Sequence, residues 1–346
     1  MFCTTPKTLK FKNIKYFRLI FVALILLLLP ALFINIFILI KSYVYVISGS
    51  LSITEFKNQG EAATLIRSWF PPTMVFYVNF VSALGIIALA YHFYFLFIRR
   101  YFLSLLFLIL SLNLPLVGLH GLSRSSMVQF FLMYICIYIY VSPALKEGVR
   151  RKLNLMGLTF GSLFMSIFLS ITSYRFSDSS YYEIPNESVI KNKVLYSVFD
   201  YYSQWINNSL LVLREFSFDD LWYGKSSLSL FDYIMERFGY SVSSYIDLRY
   251  ESLGVYGSRF NGLIATLVYD YTHIGVLFFV FLFTMFVIVS SPARSDLNFY
   301  KLPLISFLVS IPLLFFSNNY LSNVIFSLSG LYAAAFFFFS KLRFPV

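Results

Sequence analysis

The chain has 346 residues, of which 59% are hydrophobic and only 12% are charged, with a formal net charge of +11. A soluble domain has about a quarter of its residues charged, so these polar groups are too few to cover a water-exposed surface, and a soluble globular protein is excluded. The excess of Lys and Arg lies on one predicted side of the membrane. Membrane topology therefore explains the positive charge, and a nucleic-acid-binding surface is not needed to explain it.

The apolar stretches predict an all-α fold, a polytopic bundle of about eight transmembrane helices in a single integral membrane domain over residues 1–346. A helix that crosses a bilayer needs about 20 apolar residues and satisfies its own backbone hydrogen bonds in lipid. In chain order the predicted spans are Leu19–Ile40, Met74–Phe97, Tyr101–Leu119, Ser125–Val141, Leu153–Tyr174, Ile264–Val289, Leu302–Phe316 and Leu321–Phe339. The first span is too long for the core of a signal peptide, so we expect it to be retained.

Lysine and arginine indicate the orientation of these spans. With the N-terminus in the cytoplasm, the cytoplasmic segments carry 15 Lys and Arg residues but only two acids, Glu147 and Asp296. The external segments carry 12 cations and 14 acids. The positive-inside rule therefore predicts that both termini are cytoplasmic.

One long segment, residues 175–260, is predicted to be an external loop between the fifth and sixth spans. Its first half has apolar residues at helical spacing, which predicts an amphipathic helix: Ile190, Val194, Val198, Tyr202 and Trp205. A second short helix is predicted at Leu228–Phe238. Loops of this length are usually functional.

Common catalytic motifs are absent from the sequence. It contains no GxxxxGK[ST], HExxH or GxSxG pattern, so nucleotide hydrolysis, zinc proteolysis and nucleophile-elbow hydrolysis are not predicted. Cys3 lies in the N-terminal tail and Cys136 in an apolar span, which disfavours a disulfide or a metal site. We expect neither a metal nor a cofactor.

The turn between the third and fourth spans is the first candidate site. It places His120, Ser123 and Arg124 where a helix restarts at the external boundary. Free N–H groups at a helix N-terminus and a nearby guanidinium suit a phosphate or diphosphate. Alternatively, Ser123 caps the helix and Arg124 reaches lipid headgroups.

The second candidate site follows Arg259, at the end of the external loop. Asp270 and His273 are three residues apart within the sixth apolar stretch, so a continuous helix would place them on one face. An acid at membrane depth is costly and suggests a function, and either side chain could accept a proton. Alternatively, the helix begins near Ile274 and both residues lie in water.

Arg67 is the third candidate. It precedes Trp69 and two prolines at the start of the second span. A phosphate contact and a plain interfacial anchor both explain a cation at this position.

Several of these features together resemble a known family. They are the Gly121–Ser126 turn (GLSRSS), the apolar helix after it, the basic Lys146–Lys152 segment, the long external loop and the Asn261–Gly275 segment (NGLIATLVYDYTHIG). This layout resembles the O-antigen and capsular oligosaccharide repeat-unit polymerases of the bacterial inner membrane, over roughly Ile40 to the C-terminus. The chain has fewer predicted spans than that family usually has. In addition, Thr272 and His273 replace the usual glycine of the family's Asp-x-Gly-x-x-Gly pattern.

The resemblance implies a metal-independent glycosyltransferase at the external face of the bacterial inner membrane. It implies transfer of a glycan from undecaprenyl diphosphate to the terminal hydroxyl of a new lipid-linked repeat unit. The diphosphate would be bound by Arg124 and Arg259, with Arg67 and His120, and the base would be His273 or Asp270. The implied partners are the lipid-linked oligosaccharide, the bilayer and a chain-length regulator protein, with no nucleic acid.

Two other functions fit the same features. An O-antigen ligase shares the overall plan but uses lipid A core as its acceptor. A lipid-oligosaccharide flippase or another transporter would be non-enzymatic, but such proteins commonly contain internal repeats and charges near mid-membrane. The sequence shows no internal repeat, which favours the enzyme.

Overall fold

The computed structural model describes residues 17–48, 68–120, 125–155, 157–159, 161–162, 166, 188–240, 245–254, 262–290, 299–314, 321 and 323–339. Within these residues all regular structure is helical, as the composition predicts. The chain divides into two compact units. Unit 1 comprises Met1–Leu145, Phe281–Leu313 and Asn323–Val346, and unit 2 comprises Lys146–Val280 and Leu314–Ser322.

Twelve α-helices have defined bounds in the part of the chain that the structure describes. They are α1 (Phe17–Ile47), α2 (Pro72–Ser82), α3 (Gly85–Phe97), α4 (Tyr101–Ser111), α5 (Asn113–Leu119), α6 (Ser125–Val141), α7 (Lys193–Glu215), α8 (Ser229–Arg237), α9 (Tyr245–Leu253), α10 (Gly262–Ser290), α11 (Lys301–Leu313) and α12 (Val324–Phe339).

Among the described residues, four helical segments are long and apolar enough to cross a membrane: Arg18–Tyr45, Tyr101–Leu119, Ser125–Ala144 and Gly262–Ile288. The pair α2 and α3, bent by 41°, makes a fifth if it is one broken span. The chain is therefore a helical membrane protein, as predicted. Helices α11 and α12 are apolar but shorter, and most of the predicted fifth span, Leu153–Tyr174, lies outside the described residues. The count of about eight spans stays a prediction.

Buried amides connect three segments of unit 1. The Nδ2 atom of Asn35, on α1, donates to Ser82 Oγ at 3.0 Å and to Asn113 Oδ1 at 2.8 Å. Asn113 Nδ2 in turn donates to the carbonyl of Leu28 at 3.0 Å, in the turn that precedes Pro30. These contacts hold α1 against α2 and α5. Burial of apolar surface contributes little to helix association in a bilayer, because lipid is as apolar as the helix surfaces.

Gly330 permits close packing of α12 in unit 1, and its replacement gives a first prediction. A Cβ atom at residue 330 would overlap the buried ring of Phe307, which is itself packed against Phe326 at 4.7 Å between ring centroids. We expect Gly330→Ala to destabilise the protein by about 1–3 kcal/mol, as overpacked cores do. Thermal unfolding of the purified protein in detergent measures the effect.

Gly148→Ala is the matched control for that substitution, because a Cβ at residue 148 meets no atom within 4 Å. Residue 148 lies in a helical segment, so the variant should leave the unfolding temperature unchanged or slightly higher, as alanine is the better helix former. Equal unfolding temperatures for the two variants would contradict the packing argument.

Unit 2 contains the two helices predicted within residues 175–260. The second is confirmed, since α8 covers Ser229–Arg237. The first is confirmed as a helix but begins at Lys193, three residues after Ile190, because the Asn192 side chain caps it by accepting the Leu195 N–H at 3.0 Å. Helix α9 was not predicted. The core of this unit is formed by Val212, Trp222, Leu253, Ala265 and Tyr269, and its predicted external location stays a prediction.

Candidate functional site

Helix α10 is broken at Thr272. This residue has φ 66° and ψ 173°, a combination that glycine adopts readily and that is strained for a β-branched side chain. The break divides α10 into residues 262–271 and 273–290. Thr272 Oγ1 accepts the N–H of Gly275 at 3.4 Å, a weak version of the bond by which a threonine caps a helix that starts after it. The helical spacing that would place Asp270 and His273 on one face is interrupted between them.

Asp270 lies in the interior of unit 2, with 2% of its surface exposed. Its Oδ1 accepts the backbone N–H of Ser226 at 3.0 Å. Its Oδ2 accepts the hydroxyls of Ser226 at 2.5 Å and Ser227 at 2.7 Å. Three donors therefore surround this carboxylate, which is how a buried charge is stabilised away from water.

The donors belong to a short segment, residues 222–228, which we call the serine turn. Tyr223 and Gly224 have φ of 51° and 84°, and the Lys225 N–H donates to the Trp222 carbonyl at 3.1 Å. Two successive residues with positive φ and this bond are typical of a type I′ turn. The turn is followed by α8, and Lys225 forms a salt bridge with Asp232 on that helix at 3.0 Å.

Trp222 anchors the serine turn to the first half of α10. Its N–H donates to the Tyr269 carbonyl at 2.7 Å, which satisfies an acceptor close to a helix end. Its indole Nε1 donates to Ser252 Oγ at 3.0 Å, and its ring lies 4.8 Å from the Tyr269 ring. The turn, α9 and the broken helix are thus connected around Asp270.

His273, the first residue after the break, is exposed. Its ring contacts the ring of Phe216 edge-on, with 5.5 Å between centroids. Phe216 also packs against Tyr269 at 5.1 Å, and the Tyr269 hydroxyl donates to the Val212 carbonyl at 3.2 Å. The imidazole is therefore accessible while its ring is supported from one side by aromatic packing.

The two predicted proton acceptors differ in what they can do. The oxygens of Asp270 are already occupied by three donors and are closed to solvent, so the geometry suits a residue that holds the backbone in place. The His273 imidazole is open to a substrate. A base must come within hydrogen-bonding reach of the proton that it removes, and His273 satisfies this condition better than Asp270.

Of the four residues predicted to contact the diphosphate, the structure describes only one, His120. Arg67, Arg124 and Arg259 lie outside the described residues. His120 is buried in unit 1, where its side chain hydrogen-bonds the backbone of Asn35 and its Nε2 has no hydrogen-bond partner among the described residues. Burial lowers the pKa of His120 to about 4, so its imidazole is neutral near pH 7. Its role at a diphosphate stays a prediction.

Sequence reasoning missed Ser226 and Ser227. The Tyr-Gly pair at 223–224 signals a turn, but nothing in the sequence connects that turn with an acid 44 residues later. The described residues contain no group of three or more His, Cys, Asp or Glu that could hold a metal ion.

The break at Thr272 gives a second prediction. Thr272→Gly should relieve a strain of about 1–3 kcal/mol, and glycine is almost as good a cap as threonine. Thr272→Ala should keep the strain and lose the cap. We therefore expect the glycine variant to unfold at a higher temperature than the alanine variant, by the equivalent of about 1–3 kcal/mol. An alanine variant as stable as the glycine variant would contradict the strained backbone.

Comparison with models of known families, with curated proteins and with solved structures finds no match for this chain.

Proposed function

We propose that this chain is a metal-independent glycosyltransferase that polymerises undecaprenyl-diphosphate-linked oligosaccharide repeat units at the external face of a bacterial inner membrane. The observation that carries the proposal is the exposed imidazole of His273 at the first position of an apolar half-helix. This position suits a base that acts on a lipid-linked substrate.

The length of the half-helix supports this position. Residues 273–290 rise about 27 Å at 1.5 Å per residue, close to the thickness of the hydrocarbon core. Ile274, Leu277 and Phe278 are all exposed, as side chains that face lipid are. If this half-helix spans the bilayer, His273 lies at the level of the headgroups. The diphosphate and the first sugar of a polyprenyl-linked glycan lie at the same level.

The proposed reaction uses one base and no metal. The terminal hydroxyl oxygen of the acceptor glycan attacks the anomeric carbon of the donor glycan, and His273 takes the hydroxyl proton. The bond between that carbon and the diphosphate oxygen breaks, and the electron pair leaves with undecaprenyl diphosphate. The external arginines Arg67, Arg124 and Arg259 supply the positive charge that this leaving group requires.

Asp270 has a positioning role in this proposal. Its carboxylate holds the serine turn, and Trp222 of that turn holds Tyr269. Phe216 packs on both Tyr269 and His273. A rigid support of this kind keeps a catalytic group in its productive orientation.

Two structural observations favour the transporter as a second candidate. The break in α10 and the 41° bend between α2 and α3 are features of transporters, in which discontinuous helices surround the substrate. An O-antigen ligase would use the same donor site with a different acceptor.

The test is a reaction with the purified protein in proteoliposomes that contain a lipid-linked oligosaccharide repeat unit and no lipid A core. The proposal predicts a ladder of glycans that differ by one repeat unit. Transfer of the single repeat unit to added lipid A core, without a ladder, would indicate a ligase. Movement of the repeat unit across the bilayer without any change in glycan length would indicate a transporter and overturn the proposal.

A further inference from the structure

Helix α7 carries an exposed apolar stripe along most of its length. Four large apolar side chains at helical spacing form this stripe: Leu195, Phe199, Ile206 and Leu210, which are 52%, 58%, 48% and 65% exposed. The stripe is apolar although the helix lies in a segment rich in polar residues. A row of this kind is unusual on a protein surface that faces only water.

The stripe is separate from the face by which α7 packs into unit 2. Asn208 and Val212 are 3% and 1% exposed, and each follows a stripe residue, Ile206 or Leu210, by two positions. Side chains two positions apart in the sequence point about 200° apart around a helix. The helix therefore packs one side into its unit and presents the apolar stripe on the side that faces away from it.

The C-terminal end of α7 is fixed beside the start of the apolar half-helix of α10. Val212 accepts the Tyr269 hydroxyl, and Phe216, the residue after α7, contacts the ring of His273. His273 in turn begins the half-helix whose exposed residues include Ile274 and Leu277. The last turns of α7 are thus held at the end of a helix that is suited to lipid.

We propose that α7 is a membrane-surface helix, with its stripe inserted at the boundary between the headgroups and the acyl chains of the bilayer. An amphipathic helix binds there through its buried apolar area, with cations directed to the headgroups. Lys193 and Arg214 lie at its two ends. Trp205, half-buried on the same helix, is a residue type enriched at this depth.

Lipid explains the stripe better than a second copy of the chain does. The residue that follows α7 contacts the start of the α10 half-helix within unit 2, so one bilayer surface accounts for both sets of exposed apolar residues. The inference concerns the membrane contact of α7 and is independent of any enzymatic activity.

The experiment places a fluorescent label at single cysteines of the full-length protein in lipid nanodiscs. Cys3 and Cys136 are replaced by serine and alanine, and the label is attached in turn to Ile206→Cys, Leu210→Cys and Asn207→Cys. Asn207 is the matched control for Ile206, because it is exposed and adjacent to Ile206 but points about 100° away from it. Quenching by lipids with a spin label near the headgroup is then measured.

Residue 206 should be quenched more strongly than residue 207, and residue 210 should also be quenched, if the stripe lies in the bilayer. Equal quenching at all three positions would overturn the proposal. Disulfide cross-linking between copies at residue 206, without quenching, would assign the stripe to a second copy and also overturn it. Leu195 and Phe199 lie on the same stripe and supply replacement positions if a label at 206 or 210 disrupts the fold.

Discussion

Replacing His273 with alanine should leave a cell with surface glycans of a single repeat unit in place of long chains. In the proposed reaction His273 accepts the proton of the attacking hydroxyl, and loss of a general base slows such reactions by about 10²–10⁴-fold. The side chain is exposed and contacts Phe216 alone among its ring neighbours in the described residues, so the variant should fold. The glycan ladder from a strain that carries only the variant measures the effect.

Ile274→Ala is the matched control for this prediction. It removes an adjacent side chain that is 80% exposed and carries no proton-accepting group, so the long chains should persist. Long chains of normal abundance in the His273→Ala strain would exclude His273 as the base. Loss of long chains in both variants would point to damage at the start of the half-helix.

Asp270 should tolerate asparagine but not alanine. Alanine leaves the Ser226 N–H and the hydroxyls of Ser226 and Ser227 without their acceptor in a buried site. A buried donor left without its acceptor costs about 1–3 kcal/mol. Asparagine keeps one oxygen for the Ser226 N–H, and its amide can donate to the two hydroxyls, which can also accept. Thermal unfolding should therefore separate the two variants clearly.

The activity of Asp270→Asn then separates the two roles considered for this residue. A positioning residue keeps a measurable part of its activity in the asparagine variant, because the serine turn stays in place. A catalytic base loses its activity in the same variant while the fold is intact. A folded Asp270→Asn protein that makes no polymer would therefore move the base from His273 to Asp270.

Much of the helical architecture could be predicted because it depends on local patterns. The apolar length of α1 and α6 predicts helices that cross a membrane. The spacing of apolar residues in the loop predicted α7, and the segment 228–238 predicted α8. The beginning of α7 was missed by three residues, because the Asn192 cap decides it and the apolar pattern extends beyond the cap.

The candidate site could be predicted only in part. Asp270 and His273 were identified from the cost of a polar group in an apolar stretch. The break between them was not, since a threonine with positive φ contradicts local preference and is held by the surrounding structure. The partners of Asp270 are 43 and 44 residues away in the sequence, so only the fold brings them together.

Thr272 connects the family resemblance with the geometry. It stands where the resembling polymerases have a glycine, and its backbone adopts a conformation that favours glycine. Because the native Thr272 is strained in this conformation, we expect Thr272→Gly to be tolerated.

The compartment that His273 faces tests the central claim most directly. A protein with Cys3→Ser and His273→Cys, in which the remaining Cys136 is buried, can be treated in intact cells with a thiol reagent that does not cross the inner membrane. The account predicts that residue 273 is labelled from outside that membrane. Labelling only after the membrane is permeabilised would place His273 on the cytoplasmic side, away from the external donor glycan, and would contradict the account.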